Sequence, residues 1–117
     1  MTIFLKRVYE KPAAEDGKRI LVERLWPRGL KKEEAKIDEW LKDVAPSTEL
    51  RKWYSHDPSK WAQFKKLYWK ELGAKKDVVL RLAKESKQSK VTLVFGSKEE
   101  KLNNANALKE YIETKLK

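Results

Sequence analysis

The stretch RILVERLWPRGLKK, residues 19–32, decides the fold of this chain. Its unbroken apolar run at residues 20–22 is typical of a strand that is covered on both faces, as strands of parallel sheets are. Pro27 and Gly29 end the strand, because proline cannot donate to a sheet ladder and glycine favours a turn. The cations and the tryptophan of this stretch are therefore expected near the C-terminal end of the strand. Open α/β sheets bind their ligands at that edge.

The positive charge at this edge allows two interpretations. Crowded guanidinium and ammonium groups repel one another unless an anion or a carboxylate lies among them, and the arginine fork suits phosphate or carboxylate. In the first interpretation the edge is an anion site with four ligand-binding side chains: Arg24, Trp26, Arg28 and Lys31. In the second, the arginines form structural ion pairs with neighbouring glutamates, and Trp26 belongs to the core.

Two other segments are typical of strands. Residues 2–8 are rich in β-forming side chains, and residues 91–95 are a compact run that begins with two β-branched residues. We expect both to share one sheet with residues 19–25. The polar connection at residues 11–17 is shorter than most helical crossovers, so local rules leave open an antiparallel pairing of the first two strands.

Helical signals fill the region between the second and last strands. The apolar spacing of residues 31–45 predicts one or two short helices, and Ser47 is a suitable N-cap for a further turn. Asp57 stands directly before a proline and starts a helix that Gly73 ends. A following helix extends to about residue 87.

The whole chain, residues 1–117, is predicted to be one small α/β domain. After the last strand, residues from about 102 onward form another helix, and the order strand, loop, helix is half of an α/β unit. The predicted architecture has three layers, a sheet of roughly three strands, and a helical insertion between the second and last strands.

The chain is basic, with a formal net charge of +10, and the excess lies in its second half. Residues 1–57 contain 13 Lys/Arg against 11 Asp/Glu, whereas residues 58–117 contain 15 against 7. Such a density attracts polyanions, and it supports an alternative function in which the lysine-rich helices of residues 60–90 bind nucleic acid. The candidate side chains are Lys65, Lys66, Lys70 and Lys76. A solvated surface that confers solubility explains the same lysines.

Composition excludes several classes of site and partner. The chain has no cysteine and one histidine, so we expect no disulfide, no thiol catalysis and no cysteine- or histidine-rich metal site. With four glycines in all, a glycine-rich phosphate loop is excluded, and no cofactor motif is present. The sequence contains neither a signal peptide nor an apolar run of roughly twenty residues, so we expect a cytoplasmic protein without a membrane partner.

Two residues are candidates for proton transfer, and each also has a structural interpretation. His56 changes charge near neutral pH and could act as general acid or base, or its ring could hydrogen-bond the turn before the next helix. Glu71 falls within the apolar arc of its helix, so it needs a cationic partner. In one interpretation the partner is an arginine and the pair is structural. In the other, Glu71 lines a pocket beside Tyr68 and His56. At the same sheet edge, Lys98 and Asn103 follow the last strand and could bind an anion at the start of the last helix.

The sequence resembles the YeaO-like proteins, a bacterial and archaeal family of unknown function. The resemblance rests on the long LVERLWPRG motif and on residues spread over nearly the whole chain, among them Trp40, Pro46, Trp53, His56, Trp61, Phe64, Tyr68 and Glu71. It implies that the sheet is mainly parallel, with an abbreviated crossover between the first two strands. This chain has Asn104 where many relatives have histidine, so a shared reaction that needs that histidine would be absent here.

Three functions of different classes are compatible with these features. The leading hypothesis is a small anionic ligand, phosphorylated or nucleotide-like, bound at the C-terminal edge of the sheet by a binding protein or an enzyme. The alternatives are nucleic-acid binding and a structural or protein-interaction role. The leading hypothesis predicts that Arg24, Arg28 and Lys98 converge on a concave site that is bordered by Trp26, His56, Tyr68 and Glu71.

Overall fold

A four-stranded, all-parallel sheet forms the centre of the computed structural model, which describes residues 3–115. The strands are β1 (Ile3–Arg7), β2 (Lys18–Leu21), β3 (Glu39–Trp40) and β4 (Val91–Phe95). Their order across the sheet is β1-β4-β2-β3. The prediction that the first, second and last strand segments share one mainly parallel sheet is confirmed, although β2 ends at residue 21 rather than 25. Thr2, the first residue of the predicted strand, lies outside the described residues.

The fourth strand corrects the sequence-based prediction for residues 31–45. Only α1 (Lys32–Ala35) and a 3₁₀ turn (Lys42–Val44) are helical there, and β3 lies between them. Lys36 adopts a left-handed conformation, with φ 48°, and ends α1. The chain then pairs with β2 through backbone bonds from Asp38 N to Arg19 O (2.9 Å) and from Leu41 N to Leu21 O (2.9 Å). A ladder this short is stabilised by its tertiary partner, which spacing alone does not reveal.

Four further helices follow the predicted signals. They are α2 (Thr48–Tyr54), α3 (Trp61–Gly73), α4 (Lys76–Gln88) and α5 (Asn104–Lys115). The Ser47 side chain accepts a hydrogen bond from Leu50 N and caps α2. Asp57 caps the 3₁₀ turn that leads into α3 by accepting a hydrogen bond from Ser59 N.

The sheet is covered on both faces, which gives the three predicted layers. On the first face, the buried side chains of Ile20 and Leu93 pack with residues of α2, α3, α4 and α5. On the second face, Leu21 and Val94 pack with Ala35 of α1 and with aromatic and aliphatic residues of segment 24–40. Alternate residues of a strand point to opposite faces, and burial on both sides explains why β4 is buried at every position.

The crossover between β1 and β2 is short and tightly packed. It contains a single 3₁₀ turn (Ala14–Asp16), and Gly17 follows with φ 66°. A side chain at Gly17 would place its Cβ 2.4 Å from the backbone oxygen of Lys90, so only glycine fits there. The buried Arg19 guanidinium joins Asp16 (2.7 Å) to the Ala35 carbonyl (2.8 Å) and ties this crossover to α1.

The connections that leave β2 and β4 diverge to opposite faces of the sheet. Segment 24–37 leaves β2 and packs on the second face, whereas α5 leaves β4 and packs on the first. Because β2 and β4 are neighbours, a crevice opens between their carboxyl ends, and ligands of open α/β sheets bind in such crevices. Among residues 3–115, no helix combines the length and the apolar character needed to cross a membrane.

Candidate ligand-binding cleft

A cleft of about 580 Å³ lies at the diverging ends of β2 and β4. Glu23 follows β2, Gly96 follows β4, Asn104 begins α5, and Arg51 lies on α2. The crevice that the topology predicts is thus an actual cavity, built by four elements that are distant in sequence.

The carboxylate of Glu23 lies in this cleft. Its Oε2 accepts a hydrogen bond from the backbone N–H of Gly96 (2.9 Å), while the backbone oxygen of Glu23 accepts one from Trp40 Nε1 (2.6 Å). Burial raises the pKa of Glu23 above its usual value, against the opposing effects of the Gly96 N–H, the charge of Arg51 and the Asn104 amide. A carboxylate with a raised pKa inside a cleft is a mark of a functional site.

Asn104 is oriented by the backbone of the sheet. Its Nδ2 donates a hydrogen bond to the Val22 carbonyl oxygen (2.8 Å), which can only accept, so the amide nitrogen must face Val22. The same amide faces the Glu23 carboxylate and lowers the pKa of that carboxyl, as a hydrogen-bond donor does. Asn104 lines the cleft next to Glu23 and helps to hold that carboxylate in place.

The rim of the cleft is cationic. Arg51 and Lys52 are exposed on α2, and His56 follows in the turn after that helix. Ser55 and His56 have φ values of 45° and 56°, and Asp57 N donates to Tyr54 O (2.9 Å) to close the turn. Two non-glycine residues in this left-handed region cost on the order of 1 kcal/mol each. Strain of this kind concentrates at functional sites, and here it fixes the residue that presents the only imidazole.

Aromatic side chains form the walls. The Tyr54 ring stacks on Phe64 with centroids 4.3 Å apart, and its hydroxyl donates to the Leu102 carbonyl (2.9 Å). Burial and the nearby acidic side chains raise the pKa of Tyr54, so it remains a neutral donor. Trp26 also lines the cleft and contacts Trp40 edge to face, with centroids 5.4 Å apart. Flat, rigid walls of this kind suit a planar ring.

Three of the residues predicted from sequence line the cleft: Trp26, His56 and Asn103. The amide of Asn103 is already occupied, because its Oδ1 accepts from Asn106 N (2.9 Å) and its Nδ2 donates to Glu99 O (2.8 Å). Asn103 is therefore the N-cap of α5 and fixes the helix start that carries Asn104.

Three other predicted residues hold the segment that enters α2. Arg24 donates to the carbonyls of Ala45 (3.1 Å) and Pro46 (3.2 Å). The buried Tyr68 hydroxyl donates to the carbonyl of Val44. Arg24 and Tyr68 thus support the backbone beside the cleft and do not line it, contrary to the predicted convergence.

Glu71 is the third residue that holds the segment of residues 44–47. Its Oε1 accepts the backbone N–H of Ser47 (2.9 Å), and its Oε2 accepts the Ser47 hydroxyl (2.6 Å). The predicted arginine partner is replaced by Ser47, because two hydrogen bonds satisfy the carboxylate without a cation. Glu71 does not line the cleft, so it does not lie beside His56 as predicted.

The remaining predicted cations also lie outside the cleft lining. Arg28, Lys31 and Lys98 are exposed, and none of them borders the cavity, which corrects the predicted convergence of Arg28 and Lys98. Lys31 starts α1, and its backbone N–H donates to Glu34 Oε1 (3.1 Å).

The nucleic-acid candidates lie on the helical layer. Lys65 forms an ion pair with Glu110 (3.0 Å), and Lys66, Lys70 and Lys76 are exposed on α3 and α4. Nucleic-acid binding by these lysines stays a prediction. Within the part of the chain that the structure describes, no cluster of three or more acidic or histidine side chains could hold a metal ion.

Sequence reasoning did not identify four residues of the cleft as binding candidates: Glu23, Arg51, Tyr54 and Asn104. Glu23 is one of the neighbouring glutamates that the second interpretation pairs with the arginines, although a carboxylate that directly follows a buried strand also indicates the sheet edge. Arg51 and Tyr54 reach the cleft through the packing of α2, and no local sequence pattern indicates that position.

Comparisons with known proteins place the chain among uncharacterised relatives. Residues 2–117 match the family DUF488-N3i, described as the inactive DUF488-N3 subclade. The chain is 41% identical to the uncharacterized protein YeaO of Escherichia coli K12 over 112 residues, which cover 96% of this chain and 97% of the relative. It is also 48% identical to the uncharacterized protein Rv3073c of Mycobacterium tuberculosis H37Rv over 66 residues, 56% of each chain. No solved structure gives a significant match.

Proposed function

We propose that this chain, which belongs to the DUF488-N3i family, binds a small anionic, nucleotide-like ligand in the cleft between the ends of β2 and β4. The observation that carries the proposal is the pairing, in one cavity, of the cationic rim of Arg51 and Lys52 with the carboxylate of Glu23. Such a site suits a ligand that has an anionic end and a hydrogen-bonding end.

The dimensions and the walls of the cleft support a ligand of nucleotide size. Ligand pockets commonly have volumes of about 300–1,000 Å³ and combine aromatic walls with a few polar groups. A cavity of about 580 Å³ lined by Trp26, Tyr54 and Phe64 fits this description. The planar ring of the ligand would lie against these walls.

The rim supports the anionic end. The guanidinium of Arg51 can form two parallel hydrogen bonds to a phosphate, and Lys52 adds a neighbouring charge. Both side chains are exposed, so they can reach a ligand that enters from solvent. The net charge of +10 also draws anions to the surface.

We propose binding without chemical transformation. The family is described as inactive, and this description supports a binding role. Of the two predicted catalytic residues, only His56 lines the cleft, because Glu71 is held by Ser47. In this proposal His56 contributes a hydrogen bond to the bound ligand.

Isothermal titration calorimetry with nucleoside monophosphates and inorganic phosphate, at constant ionic strength, tests the proposal. We expect Arg51→Ala to weaken binding about 10- to 100-fold, because a charge-assisted hydrogen bond contributes about 1.5–3 kcal/mol. Arg28→Ala is the matched control, since it removes an exposed guanidinium that does not line the cleft. Binding equal to the wild type is expected for that variant.

Two results would overturn the proposal. The first is that neither phosphate nor any nucleoside monophosphate binds at millimolar concentration. The second is that Arg28→Ala abolishes binding whereas Arg51→Ala leaves it unchanged, which would move the anion site to the cationic turn after β2.

A further inference from the structure

We infer that the Glu23 carboxylate selects a ligand ring that presents adjacent hydrogen-bond donors, as the N1–H and amino group of guanine do. The inference rests on the proposed function and specifies its ligand class: a guanine nucleotide, with its base edge at Glu23 and its phosphate at Arg51. It assigns to Glu23 the role of a specificity-determining residue.

The first step concerns the hydrogen-bond acceptor positions of the Glu23 carboxylate. Oε2 accepts the Gly96 N–H at 2.9 Å, and a carboxylate has about four acceptor positions. Within residues 3–115, no side-chain oxygen or nitrogen is buried without a hydrogen-bond partner. The acceptor positions that Gly96 leaves on Glu23 are therefore either bonded or open to the cleft that Glu23 lines.

The second step concerns the neighbour of this carboxylate. The Asn104 amide nitrogen donates to the Val22 carbonyl (2.8 Å), and the same amide faces the Glu23 carboxylate, whose pKa it lowers. Asn104, at the start of α5, therefore supports the carboxylate that Glu23 presents from the end of β2. The Gly96 N–H is also bound to Glu23.

The third step is to identify a ligand ring whose hydrogen-bond donors match this carboxylate. A carboxylate accepts two parallel hydrogen bonds from the N1–H and the exocyclic amino group of guanine. Adenine and cytosine each present a ring nitrogen acceptor beside their amino group, and that lone pair would repel the carboxylate. Hypoxanthine keeps the N1–H and lacks the amino group. A site that is built to accept two donors discriminates strongly against a ring that lacks one, because its own polar groups then remain unpaired.

The charge of Glu23 supports the same assignment. Burial raises the pKa of this carboxyl, so the unliganded cleft disfavours its charged form. A ring that donates two hydrogen bonds compensates for that burial. The Arg51 guanidinium then remains available for the phosphate of the same ligand.

Calorimetric titration of the full chain with GMP, IMP, AMP and CMP tests the inference. We expect GMP to bind at least tenfold more tightly than IMP, and IMP more tightly than AMP or CMP. In Glu23→Gln, the side-chain oxygen can keep the Gly96 hydrogen bond while the amide presents donors to the ligand. This variant is expected to bind GMP at least tenfold more weakly and to lose the preference for GMP over AMP.

A matched control and a second variant make the test independent of folding defects. Glu100→Gln removes an exposed carboxylate outside the cleft and should bind all four nucleotides as the wild type does. Gly96→Ala places a methyl group 3.8 Å from Glu23 Oε2, an ordinary contact, and should reduce the affinity for GMP several-fold in a folded protein.

The outcomes separate this inference from the proposed function. Equal binding of GMP and AMP by the wild type would overturn the assignment of Glu23 while the cleft remained a nucleotide site. An unchanged preference for GMP in Glu23→Gln would also overturn it. If no nucleotide and no phosphate binds, both the proposed function and this inference fail.

Discussion

Replacing Glu71 with alanine is expected to destabilise the fold and to leave ligand binding by the folded protein unchanged. Both carboxylate oxygens bind Ser47, one through its backbone N–H (2.9 Å) and one through its hydroxyl (2.6 Å). The same hydroxyl accepts the Leu50 N–H (3.2 Å) and caps α2. Glu71 therefore orients the N-cap of the helix that carries Arg51.

The size of the effect follows from these bonds. Hydrogen bonds to a charged group contribute about 1.5–3 kcal/mol each and are not additive, so we expect a loss of about 3 kcal/mol of unfolding free energy. At about 2.1 cal/mol/K per residue, the unfolding entropy of a chain of 117 residues is about 0.25 kcal/mol/K. The melting temperature should therefore fall by about 12 °C. Glu71→Gln keeps an acceptor for the Ser47 N–H and should lose about 1 kcal/mol, or about 4 °C.

Thermal unfolding followed by circular dichroism at pH 7 measures this change, and calorimetric titration at 25 °C measures binding by the folded variant. Glu100→Ala, which removes an exposed carboxylate, is the control and should melt within about 2 °C of the wild type. The reasoning would be refuted by a Glu71→Ala variant that melts like the wild type but no longer binds ligand. Glu71 would then be a residue of the site, as the sequence suggested.

Three further changes are expected to show their effects in urea denaturation. Gly17→Ala should lose more than about 2 kcal/mol of unfolding free energy, because its Cβ would lie 2.4 Å from the Lys90 oxygen in a backbone with φ 66°. Gly96→Ala should lose less than about 1 kcal/mol. Equal losses in the two variants would contradict the packing argument. Burial raises the pKa of Asp16, but hydrogen bonds from Ala13, Lys6 and Arg19 outweigh it and leave the pKa lowered. Its stabilisation is thus present above the unfolded pKa and is lost as the pH falls below about 4. Asp16→Asn should lose about 3 kcal/mol of unfolding free energy at pH 7. Between pH 7 and pH 3 the variant should lose less additional stability than the wild type does. Equal losses between these two pH values in both proteins would argue against this role of Asp16. Burial raises the pKa of Glu23, so its contribution to stability is present below the unfolded pKa and is lost as the pH rises. Glu23→Gln should therefore be more stable than the wild type at pH 7 but not at pH 3. A variant that is less stable than the wild type at pH 7 would count against a carboxylate that burial destabilises.

The elements that the sequence predicted are those with strong local signals. The buried-type runs of β2 and β4, the N-cap of Ser47 and the Asp-Pro start before α3 each act within a few residues. The strand β3 was missed because two residues cannot define a period. Its pairing partner, residues 20–21 of β2, lies nearly twenty residues earlier in the chain.

The position of the cleft was predictable and the set of residues that line it was not. The rule for open α/β sheets predicted the edge where β2 ends, and the cleft lies there. Which side chain enters it depends on alternation along the extended chain after β2, which turns Glu23 inward and sends Arg24 to the Ala45 carbonyl. Arg51 reaches the rim through the tertiary packing of α2, so only the folded structure reveals it.

The order of the strands also bears on how the protein is made. Within residues 3–115, β1 is hydrogen-bonded to β4 alone, and β2 otherwise has only the two-residue ladder of β3. Residues 91–95 must therefore leave the ribosome before the sheet can close, and contacts of such long sequence separation slow folding. During synthesis, the hydrophobic strands made first wait without their partner and are open to wrong pairing. A nascent chain that stalls before residue 91 is expected to be a substrate for chaperones and proteases.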